Sequence, residues 1–211
     1  MSMKRACFIV LFAVAVCSFA VCTFCSAQET AASKSTLDNL QAAYNAESNA
    51  SARYQEFAKK ANLEGYDAVA MLFRATALAE EVHYKRHAGL ITKLGGTPNA
   101  VIETPVVKGT KENLESAIKD ETYENSQMYP EFLAEAQKEG IQDAIEAFSE
   151  AQAAEASHVL ALTKLLDNLG ISKGLTKDFY VCPRCGNIVD AITFVKCPVC
   201  GTDKNEFKNI R

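Results

Sequence analysis

The chain contains two copies of a Glu-x-x-His motif, Glu80 with His83 and Glu155 with His158. Residues three positions apart on a helix point in nearly the same direction, so each motif offers a carboxylate oxygen and an imidazole nitrogen to one site. Transition metals such as iron and zinc bind these donor atoms. A single motif of this kind usually lies on a solvated helix face, but two copies within apolar stripes predict a metal site.

A repeated pattern of glutamates accompanies the two motifs. Glu47 precedes Glu80 by 33 positions. In the second half of the chain, Glu121 precedes Glu155 by 34 positions, and Glu124 follows one helical turn after Glu121. An ionised carboxylate moved into an apolar interior costs several kcal/mol. Five carboxylates in one core therefore require cations, and two metal ions supply charge of the right size.

The C-terminal segment contains four cysteines that form two Cys-x-x-Cys pairs with eleven residues between them. A glycine, Gly186 or Gly201, follows each pair and lets backbone N–H groups approach the sulfurs. Four thiolates in this arrangement predict a tetrahedral site for zinc or a single iron, and the spacing alone does not choose between them. Disulfides are the alternative if the protein is exported. The four residues are Cys182, Cys185, Cys197 and Cys200.

Four long helices are predicted to position the glutamates and histidines. Apolar residues recur around them at steps of three and four positions, the period of an amphipathic helix. Pro130 lies inside the third helix and predicts a kink or a local break there. Short connections within each pair and a longer crossover at 95–110 indicate an antiparallel four-helix bundle. The predicted helices cover residues 33–65, 66–94, 110–139 and 141–170.

The ligand pattern identifies the kind of bundle. One Glu from each of two helices, with Glu-x-x-His from each of the other two, is the ligand set of ferritin-like dinuclear carboxylate proteins. The predicted fold is therefore an all-α ferritin-like four-helix bundle over residues 33–170. A linker at 171–177 and a small four-cysteine metal-binding domain at 178–211 follow it.

The composition is that of an ordinary globular protein. The chain has 211 residues, of which 48% are hydrophobic and 23% charged. The formal net charge is −4 at pH 7 and no block of Lys and Arg stands out, so a nucleic-acid partner has no support.

The first 27 residues have the composition of an export signal. Lys4 and Arg5 precede an uncharged apolar run, and small residues follow that run. Cleavage is expected after Ala27, which places the mature protein in the periplasm. The apolar run is also long enough to span a bilayer, so an uncleaved membrane anchor is the alternative.

After this leader, the chain resembles the rubrerythrin family over nearly its whole length. The resemblance is carried by four segments of the bundle and by the C-terminal domain, which resembles rubredoxin. Glu124 and the Met-Tyr-Pro sequence that follows it separate this family from ferritin. The four segments are AESNASARY (46–54), TALAEEVH (76–83), DETYENSQMYPEF (120–132) and AAEASH (153–158).

The resemblance implies a non-haem peroxidase that protects against oxidative stress. A di-iron centre would reduce hydrogen peroxide to water, and one iron in the four-cysteine site would pass on electrons from an unidentified donor protein. Glu124 would bind the oxidised centre and His83 would replace it on reduction, while Tyr54 and Tyr129 would hydrogen-bond to ligands. Family members commonly form head-to-tail homodimers that bring the two kinds of site together across subunits. The constant iron ligands would be Glu47, Glu80, Glu121, Glu155 and His158.

Two other functions remain open from the sequence. An iron-handling protein with ferroxidase or storage behaviour would use the same bundle, and a structural bundle would use the four-cysteine site as a zinc ribbon. His87, one turn beyond His83, is interpreted as a supporting residue rather than a ligand. Asn187 stands where rubredoxins often carry an aromatic residue, which would alter the shielding of the metal held by the cysteines.

Overall fold

The computed structural model describes residues 35–211, so the predicted leader lies outside the described residues. The first helical hairpin consists of α1 (Thr36–Leu63) and α2 (Asp67–Lys93). A capping box starts α1, because the Ser35 hydroxyl accepts from the Asp38 N–H while the Asp38 carboxylate accepts from the Ser35 N–H. None of the described helices is long and apolar enough to cross a membrane.

The second hairpin contains α3 (Thr110–Tyr123), a π-helical turn (Glu124–Met128), α4 (Tyr129–Glu139) and α5 (Gln142–Asp167). Gly140 ends α4 with φ 70°, a left-handed conformation that glycine adopts without strain. The break predicted at Pro130 takes the form of the π-helical turn just before it. Proline cannot donate a backbone hydrogen bond, so its place in the first turn of α4 is compatible with a change of helical register there.

The acidic residues lie between two apolar clusters. One cluster includes Tyr54, Phe73 and Leu162, and the other includes Leu40 and Phe148. Each long helix of the bundle, with α3, the π-helical turn and α4 taken as one, runs from one apolar cluster to the other. The predicted ligands lie between the two clusters. Apolar packing on both sides therefore holds the ionisable residues at one level of the bundle.

The C-terminal domain contains three short antiparallel strands, β1 (Phe179–Val181), β2 (Ile188–Val189) and β3 (Lys208–Ile210). Their order is β2–β1–β3, so β1 pairs with both neighbours. Phe179, Val181 and Ile188 belong to the same buried cluster as the bundle core. The domain thus packs directly against its own bundle, through α2 and α5, and the predicted fold of four helices followed by a small four-cysteine domain is confirmed.

Candidate metal centres

The structure gathers the predicted bundle ligands into two overlapping groups. Within each group, one ligand atom from every residue lies within 4.8 Å of the others. Glu80 and Glu155 belong to both groups, so the two groups would hold two metal ions close together, with the ligand set of a dinuclear carboxylate site. One group is Glu47, Glu80, His83 and Glu155, and the other is Glu80, Glu121, Glu155 and His158.

Burial makes this cluster dependent on cations. The four glutamates of the two groups are 0% exposed, and Glu124 on the π-helical turn is 6% exposed. Among the described residues, no hydrogen bond is formed by either oxygen of Glu155 or by one oxygen each of Glu47, Glu80 and Glu124. Unpartnered carboxylate oxygens in a dry core are strongly unfavourable, and metal ions are the partners that this donor set fits.

The orientation of the two histidine rings supports the same conclusion. The Nε2 atom of His83 lies 3.0 Å from the Cys185 carbonyl, and that of His158 lies 3.0 Å from the Gly186 carbonyl. A carbonyl only accepts, so Nε2 carries a proton in both rings and Nδ1 is the nitrogen left to act as a metal ligand. Each Nδ1 faces the carboxylates, at 3.0 Å from Glu155 for His83 and 2.7 Å for His158. A metal ion between these atoms would take the place of the proton on Nδ1.

The pKa values describe the same conflict in the absence of metal. Burial raises the pKa of Glu47, Glu121 and Glu124 well above the ordinary value, and the neighbouring carboxylates raise it further. Burial acts in the same direction on Glu155, but the two histidines outweigh it and lower the pKa of that carboxyl. Burial also lowers the pKa of His158, yet the surrounding carboxylates raise it overall.

Two buried tyrosines hold glutamates of the cluster. Tyr54 donates its hydroxyl hydrogen to Glu121, and Tyr129 donates to Glu47. Both side chains are 0% exposed, and burial raises the pKa of both phenols, which keeps them protonated as donors. These contacts are the ones that the resemblance implied for the two residues.

His87 lies outside both ligand groups. Its Nε2 is 3.2 Å from the Tyr129 hydroxyl oxygen, and its ring packs against Phe148. Burial lowers the pKa of His87 to about 3, so the ring is neutral. The geometry therefore fits a residue that supports Tyr129.

The four cysteines of the C-terminal domain form a third group. Their sulfurs lie within 4.8 Å of one another, and all four residues are free thiols. The closest sulfur pairs are 3.5 Å and 3.7 Å apart, which suits four thiolates around one ion and not a disulfide. Hydrogen bonds from Cys185 lower the pKa of Cys182 to about 5, so its metal-binding thiolate is present at neutral pH.

Sequence reasoning missed the direct contact between the two kinds of metal site. Gly186 has φ +75°, and a Cβ atom there would lie 2.6 Å from His83 Nε2. Further contacts anchor the domain: the Ile188 N–H donates to Ser157, and Arg184 binds Glu150. Glycine after a Cys-x-x-Cys pair was the available signal, but it predicts N–H···S contacts equally well.

Asn187 was expected to alter the shielding of the metal in the four-cysteine site. Its side chain is 4% exposed, and its carbonyl oxygen accepts a hydrogen bond from the Cys182 N–H. The residue is thus part of the turn that carries the first cysteine pair.

The chain is similar to known proteins over most of its length. The model of the Rubrerythrin family matches residues 38–166. The chain is 38% identical over 177 residues to nigerythrin of Nitratidesulfovibrio vulgaris, covering 82% of this chain and 85% of that protein. It is 31% identical over 176 residues to rubrerythrin-2 of Clostridium acetobutylicum, covering 82% and 95% respectively.

Solved structures show the same relationship. A structure of mixed-valence nigerythrin superimposes with a TM-score of 0.78 at 35% identity, covering 87% of this chain and 90% of that one. A bacterioferritin from Desulfovibrio desulfuricans, at 22% identity and a TM-score of 0.61, shares the fold of the bundle.

Proposed function

Because the chain belongs to the rubrerythrin family, we propose that it is a non-haem di-iron peroxidase with a rubredoxin-type iron site at its four cysteines. Hydrogen peroxide takes up two electrons and two protons and yields two molecules of water. The two irons, when bound, supply the two electrons that cleavage of the O–O bond requires. An unidentified donor protein returns these two electrons through the four-cysteine site.

One observation carries this proposal. Both ligand histidines donate their Nε2 hydrogens to carbonyls of the four-cysteine domain, at Cys185 and Gly186. The thiolates and the carboxylate cluster are thus connected by covalent bonds and single hydrogen bonds. A peroxidase needs such a connection because electrons must be returned to the cluster after each turnover.

The protein's own residues prepare the cluster for this reaction. Glu80 and Glu155 are shared by the two ligand groups, so each could offer an oxygen to either of two ions held there. Tyr54 and Tyr129 hold Glu121 and Glu47 in orientation. Hydrophobic packing above and below excludes water from the charged layer.

Glu124 and His83 are proposed to alternate as ligands when the charge of the centre changes. Glu124 lies on the π-helical turn and has one oxygen without a hydrogen-bond partner. His83 directs Nδ1 into the cluster. π-Helical turns often occur at functional sites, and the unpartnered oxygen supports a ligand role for Glu124.

The alternative functions fit less well. A ferroxidase or storage protein would use the carboxylate cluster but has no need of a redox site in contact with its histidines. A structural bundle with a zinc ribbon would leave unpartnered carboxylate oxygens in its core without any compensation.

The assembly and location are also proposed. A homodimer is expected from the resemblance to the family. The leader supports export to the periplasm, with or without membrane anchoring. Size measurement in solution and the N-terminal sequence of the protein recovered from fractionated cells test these two points.

A single-turnover experiment tests the peroxidase function. The iron-loaded protein is reduced without oxygen, one portion of hydrogen peroxide is added, and the iron absorption is followed. We expect rapid oxidation of both kinds of site and about three irons per chain. Glu80→Ala should keep the absorption of the four-cysteine site and lose turnover.

Three results would contradict the proposal. Oxygen consumption as fast as peroxide consumption would favour iron handling. One zinc per chain without iron would favour a structural role. Unchanged turnover in Glu80→Ala would show that the reaction occurs elsewhere.

A further inference from the structure

One surface cavity of about 390 Å³ borders the carboxylate cluster at a single predicted ligand, Glu124. It lies between α1 and α3, and Glu124 forms part of its wall. Four other cavities of 230–480 Å³ are lined by none of the predicted ligands. The wall of the first cavity includes Ala46, Asn49, Arg53, Glu103, Lys119 and Glu124.

Away from this cavity, the described residues bury the carboxylate cluster. The remaining carboxylates are fully buried, and the four-cysteine domain covers the two histidines. Glu124 is 6% exposed and keeps one oxygen without a hydrogen-bond partner. The cavity therefore ends at the one predicted carboxylate ligand that retains some exposure to solvent.

A segment of the crossover, residues 99–103, borders this cavity; we call it the strap. Three amide side chains of α1 hold its backbone. Gln41 accepts from the Asn99 N–H at 3.3 Å. Asn45 accepts from the Val101 N–H at 2.9 Å. Asn49 accepts from the Glu103 N–H at 2.8 Å and also donates to the Val101 carbonyl at 2.8 Å.

The distance between alternate residues of the strap matches the distance between the three amide-bearing residues of α1. Gln41, Asn45 and Asn49 are spaced by four residues, a rise of about 6 Å on a helix. Alternate residues of an extended chain are about 6.6 Å apart. Every second strap residue therefore meets the next amide, and Glu103 is held at the cavity wall.

The wall offers polar groups to a small polar molecule. Arg53 forms an ion pair with Asp120 at 3.2 Å, and its buried Nε has no hydrogen-bond partner among the described residues. Lys119 and Glu103 add one charge of each sign. A neutral, hydrogen-bonding molecule such as hydrogen peroxide suits this lining better than an apolar one.

We propose that this cavity is the passage by which peroxide reaches the metal centre, and that the strap limits its width. The inference rests on the proposed peroxidase function and adds a selectivity to it. Hydrogen peroxide passes, whereas bulky organic hydroperoxides such as cumene hydroperoxide are held back at the strap.

A substitution that narrows the cavity tests the passage. Ala46→Leu adds bulk to the wall without removing any strap hydrogen bond. We expect kcat/KM for hydrogen peroxide to fall roughly tenfold, with kcat little changed, because access and not chemistry is impaired. The association rate of azide with the reduced protein, a readout without turnover, should fall by a similar factor.

The matched control is Ala88→Leu, which adds the same bulk at a half-buried position of α2 and lines neither this cavity nor the one on the other side of the strap. It should leave both rates unchanged. Equal behaviour of the two folded variants would overturn the passage.

A second substitution widens the cavity. Asn49→Ala removes the side chain that holds Val101 and Glu103. We expect the rate with cumene hydroperoxide to rise severalfold relative to that with hydrogen peroxide. Asn62→Ala, an exposed asparagine on the same helix, is the control. An unchanged ratio in Asn49→Ala would overturn the role of the strap.

The two readouts separate this inference from the function on which it rests. If azide association depends on Ala46 but the wild-type protein does not consume peroxide, the passage stands and the peroxidase function fails. If the wild-type protein consumes peroxide and neither rate responds to Ala46→Leu, the function stands and the passage fails.

Discussion

Each of the two ligand histidines uses both of its ring nitrogens. Nδ1 faces the carboxylates, and Nε2 donates to a carbonyl next to the cysteines. Because the carbonyl fixes the tautomer, the same contact prepares the ring as a ligand and connects it to the four-cysteine domain. Small changes at Cys185 or Gly186 therefore act on both metal sites.

Gly186→Ala tests this contact. The added Cβ would lie 2.6 Å from His83 Nε2, so the cysteine turn or the histidine must shift. We expect the absorption of the four-cysteine site to persist while re-reduction of the carboxylate cluster slows roughly tenfold or more, measured by stopped-flow absorbance.

The second cysteine pair supplies the control. Gly201 has φ +77°, close to that of Gly186, but an added Cβ meets nothing within 4 Å. Gly201→Ala thus introduces the same backbone strain without the contact. If both variants slowed re-reduction equally, strain in the four-cysteine domain would explain the effect and the histidine contact would not.

His87→Leu tests the neutral histidine. Burial lowers the pKa of His87 from 6.5 to about 3, so below pH 6.5 the unfolded chain binds a proton that the folded protein does not. The wild-type protein should therefore lose about 2–3 kcal/mol relative to the variant between pH 7 and pH 4.5. Urea denaturation of both loaded proteins measures this difference, and parallel pH profiles would contradict it.

At the scale of elements, the start of α3 depends on the end of α1. The Thr110 N–H and hydroxyl both donate to Glu64, at 2.8 Å and 2.6 Å, and Lys60 lies 2.9 Å from the same carboxylate. One glutamate therefore joins the first hairpin to the helix that carries Glu121 and leads into Glu124.

Glu64→Gln should weaken this junction. The hydrogen bonds from Thr110 lower the pKa of Glu64 to about 2. Because the folded pKa is depressed, the stabilisation is present above about pH 4.3 and is lost as the pH falls towards 2. At pH 7 we expect a loss of about 1 kcal/mol at most, the size of a lost helix cap.

Glu56→Gln is the control for Glu64→Gln. Glu56 lies on the same helix and pairs with the exposed Lys59 at 2.6 Å. Such a surface pair contributes little to stability. Thermal unfolding that shifted equally in the two variants would show that charge alone, and not the junction, is responsible.

At the scale of the whole molecule, the four-cysteine domain packs on the bundle of its own chain. The proximity that the head-to-tail dimer was expected to provide is thus present within a single chain. The dimer itself remains a prediction. The ion pairs of Asp190 with Lys164 and Lys177, at 3.0 Å and 2.6 Å, add to this packing.

Mixed dimers test which chain receives the electrons. One chain carries Glu80→Ala and an intact four-cysteine site, and the other carries Cys182→Ser and an intact carboxylate cluster. After coexpression and purification through two different tags, we expect peroxide turnover no higher than that of the two variants alone. Substantial restoration would show that the four-cysteine domain serves the partner subunit.

Much of the fold and of the metal sites could be predicted from the sequence, as particular residues show. The four-helix bundle followed from apolar stripes that Glu47, Glu80, Glu121 and Glu155 interrupt, because a repeating period is a local property. The four-cysteine site followed from the spacing of its cysteines, which is also local. The break near Pro130 was predicted, but its form as a π-helical turn at Glu124–Met128 was not.

The sequence alone determined which residues face one another inside the bundle and that they need metal, because helical period and the cost of buried charge require no knowledge of long-range contacts. Only the tertiary structure decided that Cys185 and Gly186 bind the two histidines, across 102 and 28 positions respectively. It also decided that three amides of α1 hold the strap. In both cases a side chain forms a hydrogen bond with a backbone group that is distant in the sequence. Every residue type has a backbone carbonyl, so no sequence pattern predicts such a contact.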